Sequence, residues 1–166
     1  MTINRYLRTT VLSLLLGLGA ISAHAQQLQT WLMLNPTSQE TFFSTDPGEQ
    51  TGLVKTGWKV TGTGFLQVNA QPGSAAVKRL VKTTAKGADR IFTTSPEQVS
   101  AAIKLGYLDE GTLGQVSITS QGSGLMPVYH FIKDSRNLWL LDKSEPWMEK
   151  SGWTLKGVAF WLWPKA

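Results

Sequence analysis

The chain has 166 residues and a formal charge of +5, from 16 Lys and Arg against 11 Asp and Glu, which bounds it to one domain with a proper core. It contains no cysteine, so disulfides and thiolate chemistry are excluded. The positive excess is mild and dispersed, and neither nucleic acid nor a membrane surface is expected as a partner.

The first element in chain order is a leader. Arg5 and Arg8 precede an apolar run from Val11 to Ile21, and Ala23-His24-Ala25 supplies the small-x-small pattern of a signal peptidase site. The run is shorter than the roughly 20 residues that span a bilayer. Residues 1–25 are therefore expected to be a signal peptide and 26–166 a single exported domain, periplasmic or extracellular, with no membrane anchor after cleavage. Without the leader the charge falls to +3, since Arg5 and Arg8 leave with it.

The remainder reads as one pattern written three times, over 28–74, 75–126 and 127–166. The first unit opens with the apolar "TWLMLN" and continues into "ETFFSTDPGEQ" (Glu40–Gln50). There Asp46 caps a short helix, Pro47 begins it, Glu49 takes the capping-box position and Gly57 ends it. "GWKVTGTGF" (Gly57–Phe65) follows; its Gly62-Thr63-Gly64 resembles the start of a phosphate-binding loop, but the later units do not keep that spacing.

The second unit runs "AVKRLVK", "DRIFTTSPEQ" (Asp89–Gln98) and "GYLDEGTLG" (Gly106–Gly114). The basic stretch Val77–Lys86 is expected to be a strand with one solvated face. Ser95 caps, Pro96 begins the helix, Gln98 takes the capping-box position, Val99, Ala102 and Ile103 share a face, and Gly106 terminates. Because Gln98 stands where Glu49 does, the acid is assigned to capping rather than to proton chemistry. The third unit runs "PVYHFIK", "RNLWLLDKSE", with Asp142 and Glu145 as cap and capping-box residue, and "GWTLKGVAF" (Gly152–Phe160).

The repeat marks three structural sets: Gly57, Trp58 and Gly62; Gly106, Tyr107 and Gly111; Gly152, Trp153 and Gly157. The expected fold class is mainly β with short helices, as three pseudo-symmetric ββαββ units in a trefoil-like or pinwheel arrangement. An open stack of units, or a small barrel with helical caps, is the alternative.

These segments resemble a repeat family of unknown function found in secreted bacterial and fungal proteins. Its units run approximately Pro-x-Tyr-Arg, Phe-Tyr-Thr-Ser, Glu, Gly-Trp, Glu-Gly and Ala-Phe. The resemblance spans essentially 26–166 and implies an extracellular accessory or binding module, often beside hydrolytic domains; it supplies no catalytic residue. The chain departs from the pattern at His130, where the family favours Arg. It departs again at Thr61 and Lys156, where only Glu110 keeps the Glu, and in "WLL" for "YTS".

The chemistry the sequence offers is sparse. His130 is the one histidine of 26–166, so a structural zinc site is not expected and any Ser-His-Asp arrangement would have to form around it. There is no nucleophile elbow, phosphate loop or calcium loop. Asp109 and Glu110 are adjacent on a strand and are not expected to act as a couple. No catalytic residue, metal or cofactor is assigned.

Seven tryptophans stand out. In "VAFWLWP", alternation puts Val158, Phe160 and Leu162 on one face and Trp161 and Trp163 on the other. Trp161 and Trp163, with Trp147 and Tyr129, are the candidate ligand-binding aromatics, although Leu66 and Val68 at the matching first-unit positions favour a packing role. The expected function is a non-catalytic exported module that binds carbohydrate or another cell-envelope component. The alternatives are a protein-interaction or inhibitor domain acting through the Thr119–Pro127 loop on an extracytoplasmic protein, and an accessory protein with weak hydrolase activity.

Overall fold

The computed structural model describes residues 26–143, 148 and 150–166. The expected signal peptide, Glu145 and Trp147 lie outside the described residues. The elements are β1 (Gln27–Leu34), β2 (Thr41–Ser44), α1 (Pro47–Lys55) and β3 (Lys59–Gln67), then β4 (Ser74–Thr84), β5 (Gly87–Thr93), α2 (Pro96–Lys104) and β6 (Leu108–Ser117). They close with β7 (Met126–Lys133), β8 (Arg136–Leu140) and β9 (Thr154–Leu162).

The fold is mainly β, an open antiparallel sheet of nine strands with two short helices described. β1 pairs with β2 and β3, β4 with β5 and β6, and β7 with β8 and β9. The long third strands meet near their C-terminal ends: Gln67 lies opposite Gln115, Ser117 opposite Trp161, and Phe65 exchanges both backbone hydrogen bonds with Trp163.

The expected ββαββ order is corrected to strand, strand, helix, strand in the first two segments. The second glycine of each structural set marks a β-bulge, which bends a strand without ending it. The ladder skips Thr61 in β3, Glu110 in β6 and Lys156 in β9. Each of these three residues precedes a repeat glycine. Gly111 and Gly157 adopt positive φ there (105° and 133°), which favours glycine. Gly62 is required for a different reason: a Cβ would fall 2.3 Å from Leu141 Cδ1.

Both described helices begin as their sequences dictate. Asp46 accepts from Gly48 N at 2.7 Å and Ser95 from Gln98 N at 3.2 Å, each with proline in the first turn. In α2, Ala102 is buried and Val99 packs beside it, while Ile103 points to solvent, off the expected shared face.

The main core gathers Phe43 from β2, Phe92 from β5 and Trp139 from β8, with Phe160 and Leu162. Phe43 and Phe92 meet edge-on at 5.0 Å, and Phe92 and Trp139 at 5.6 Å, the geometry that aromatic quadrupoles favour. Of the aromatic set, Tyr107 and Trp153 are buried, whereas Trp58 is half-buried and meets Phe42 edge-on at 6.3 Å. The basic stretch is strand β4, but its Arg79 is buried rather than solvated.

Candidate functional site

Two junctions in the sheet have the same backbone layout and opposite contents. In the first, Arg79 lies opposite Gly111, next to the bulged Glu110. Ser44, at the end of β2, bonds Glu49 of α1 at 2.5 Å. In the second, His130 lies opposite Gly157, next to the bulged Lys156. Thr93, at the end of β5, bonds Gln98 of α2 at 2.5 Å.

The first junction is filled by its own charges. Arg79 grips Glu49 with both terminal nitrogens, at 3.0 and 3.1 Å. Its Nε lies 3.0 Å from Glu110 Oε2, and Nη1 also donates to Phe43 O at 3.1 Å. The guanidiniums of Arg79 and Arg90 lie over the Phe42 ring, at 4.6 and 4.5 Å. Burial pushes the Glu49 carboxyl upward, but the hydrogen bonds from Arg79 and Ser44 and the charges of Arg79 and Arg90 outweigh it and hold the group below its ordinary value.

Glu49 and Gln98 therefore do not close the expected capping boxes. The cap N–H groups of Asp46 and Ser95 go instead to Ser44 Oγ (2.9 Å) and Thr93 Oγ1 (3.1 Å), which frees Glu49 and Gln98 to face the junctions. Asp142 is exposed, and its expected partner Glu145 falls outside the described residues.

The second junction is a cavity of about 430 Å³, lined among others by Thr93, Ser95, Gln98, His130, Trp139 and Lys156. His130 is shorter than the arginine that fills the first junction. Its ring stacks on Trp139 at 4.1 Å and 6°. Asp89, buried, accepts from the Tyr107 hydroxyl, from Asn137 N (2.7 Å) and from Asn137 Nδ2 (2.9 Å). Burial and this carboxylate hold the Tyr107 phenol well above its ordinary value, so it stays a donor.

That arrangement fixes the histidine. Asn137 Nδ2 donates to a carboxylate, so its Oδ1 turns to His130 Nε2 at 2.8 Å and must accept there. Nε2 therefore carries the proton and Nδ1 keeps its lone pair. Burial lowers the pKa of His130 and the Lys156 charge acts in the same direction, while Asn137 and the Asp89 charge oppose them. The imidazole is thus neutral at pH 7. The Gln98 carbonyl accepts from Thr93, which leaves its amide N–H groups as donors.

The aromatics singled out from sequence do not form this site. Trp161 is half-buried opposite Pro127 and Ser117, and Trp163 is half-buried against Phe65. Tyr129 packs against a smaller core cluster of Phe131, Leu138, Leu140, Met148 and Trp153, with Lys143 Nζ 5.9 Å from its ring centre. On β9, Phe160 and Leu162 are buried as alternation requires, but Val158 is exposed because the ladder skips Ala159. Asp109 and Glu110 serve different partners: Asp109 pairs with Lys78 at 3.0 Å, and Glu110 with Arg79. Among the described residues no group of three or more His, Cys, Asp or Glu could hold a metal ion, and no helix is long and apolar enough to cross a membrane.

An antiparallel, bulge-marked β domain with a polar cavity at one junction is the class these features define. The chain belongs to a family described as a domain of unknown function (DUF5648), whose model matches residues 29–163. Neither the curated proteins nor the solved structures contain a match to it.

Proposed function

We propose that the chain is an exported, non-catalytic binding module for a carbohydrate or another cell-envelope component, and that the cavity beside His130 is its ligand site. The observation that carries this reading is the cavity's lining. Fixed hydrogen-bonding groups of both kinds, the His130 acceptor and the Gln98 donors, surround a space of about 430 Å³ above a stacked aromatic pair. A polyhydroxylated ligand uses donors and acceptors together. Signal-peptide cleavage after Ala25 delivers the module out of the cytoplasm in this reading.

The finer architecture belongs to the same proposal. Residues 28–74, 75–126 and 127–166 are three related units about a pseudo-threefold axis. The matching bulges at Thr61, Glu110 and Lys156 support this, as do the matching positive-φ glycines Gly57, Gly106 and Gly152 that end the helical turns.

The test is a glycan array with the exported protein, followed by calorimetry on Gln98→Ala and Trp161→Ala. Glycan binding lost in Gln98→Ala and kept in Trp161→Ala is the expected result. Binding of no glycan, or loss only in Trp161→Ala, would refute the cavity as the site. The mass of the exported protein should correspond to a chain starting at Gln26.

A further inference from the structure

The second junction is the first with two of its charges removed and a third reversed. At the first, two guanidiniums (Arg79, Arg90) face the three carboxylates Glu40, Glu49 and Glu110. At the second, the position of Glu49 holds neutral Gln98, that of Glu110 holds cationic Lys156, and that of Arg79 holds neutral His130. The internal cation and its anionic partners are both gone, and one lysine remains at the cavity wall.

We infer that the cavity is selective for an acidic saccharide, a uronic acid or its oligomers, rather than a neutral one. This deepens the proposed binding function and rests on it. Lys156 is the charged group of the site. It sits on a bulge, which turns a side chain out of the ladder's alternation, and its ammonium is close enough to His130 to act on the imidazole's protonation. A ligand carboxylate placed between Lys156 and the Gln98 amide has one charge partner and one N–H donor.

His130 supplies the second half of the recognition. With Nε2–H committed to Asn137, Nδ1 is an acceptor, and it makes no hydrogen bond to any described residue. An acceptor repels a bare carboxylate oxygen but takes a ligand hydroxyl. The site therefore asks for a carboxylate and a hydroxyl on one molecule, which distinguishes an acidic sugar from acetate and from a neutral sugar alike. Asp89, the carboxylate that reaches His130 through Asn137, is occupied by Tyr107 and Asn137, and Glu97, at the rim, accepts from Ser95.

Calorimetric titration of the whole exported protein with trigalacturonate, galactotriose and acetate tests this. Trigalacturonate should bind about tenfold or more tighter than galactotriose, the fold-change expected of one ion pair near a surface, and acetate should not compete at equal concentration. Lys156→Gln should remove most of that preference without changing the melting temperature, because Lys156 is exposed, and Lys104→Gln on α2 should leave it intact.

Equal or tighter binding of galactotriose overturns the acidic preference and leaves the binding function standing. Competition by acetate overturns the hydroxyl requirement. Binding of neither saccharide overturns both the inference and the reading beneath it.

Discussion

At the Arg79 junction and the His130 junction the backbone does the same things: a strand-end hydroxyl meets a helix residue five positions on, and a bulge presents a side chain beside a positive-φ glycine. One junction is filled by its own paired charges; the other is a cavity of about 430 Å³. Three side chains account for the difference. What separates a structural staple from a binding site here is whether the protein supplies its own counter-ions.

The largest effect should come from erasing the difference. His130→Arg combined with Gln98→Glu and Lys156→Glu places the equivalents of Arg79, Glu49 and Glu110 at the second junction. Trigalacturonate binding should fall below detection in calorimetry, while the circular dichroism spectrum stays that of the wild type. Retained binding by a folded triple variant would show that the two junctions are not equivalent.

The next effect separates staple from cavity by stability. Arg79→Ala removes one partner of a buried ion cluster and leaves Glu49 and Glu110 only the charge of Arg90, with which neither forms an ion pair. Both carboxylates keep some solvent contact, so the cost should be about 2 kcal/mol rather than the full penalty of a dry pair. For a domain of this size that is a fall of about 8 °C in melting temperature. His130→Ala forfeits a stacked pair at an already open site, so about 1 kcal/mol is expected. Equal losses in the two variants would contradict the comparison.

How much of this was legible in the sequence follows from the same residues. The helix starts at Asp46 and Ser95, and the terminating glycines, are local chemistry, and residues a few positions apart suffice to read them. The bulges were only half legible. Gly62, Gly111 and Gly157 marked a recurring backbone need, but a break and a bulge leave the same mark until the partner strand is known.

The site was misread for a related reason. Glu49 and Gln98 stand at a capping-box offset, yet Ser44 and Thr93 take over the cap N–H groups and release them, an exchange that depends on where the preceding strand ends. The signal that could have found the cavity was present as departures from the family pattern. His130 and Lys156 break that pattern on facing strands, and only the β7–β9 register puts them side by side.

The smallest effect is a pH dependence confined to the staple. The Glu49 carboxyl is held below its ordinary value in the folded chain, so its contribution is complete above the unfolded value of about 4.5 and is lost as pH falls through the folded one. Melting temperature should therefore decline below about pH 5, and Glu49→Gln should start lower and flatten that limb. A limb of unchanged steepness in Glu49→Gln would assign the acid sensitivity to other carboxylates.

The bulged positions carry a consequence for how such a domain diversifies. Thr61, Glu110 and Lys156 lie outside the alternating register, so exchanging one for another leaves the backbone pairing of the ladder unchanged. Thr61 satisfies a backbone carbonyl, Glu110 answers an arginine, and Lys156 faces open space. A position that accepts a hydroxyl, an acid or a base on one unaltered scaffold is an interchangeable fitting, and a relative could gain, lose or relocate a ligand by changing what is mounted there.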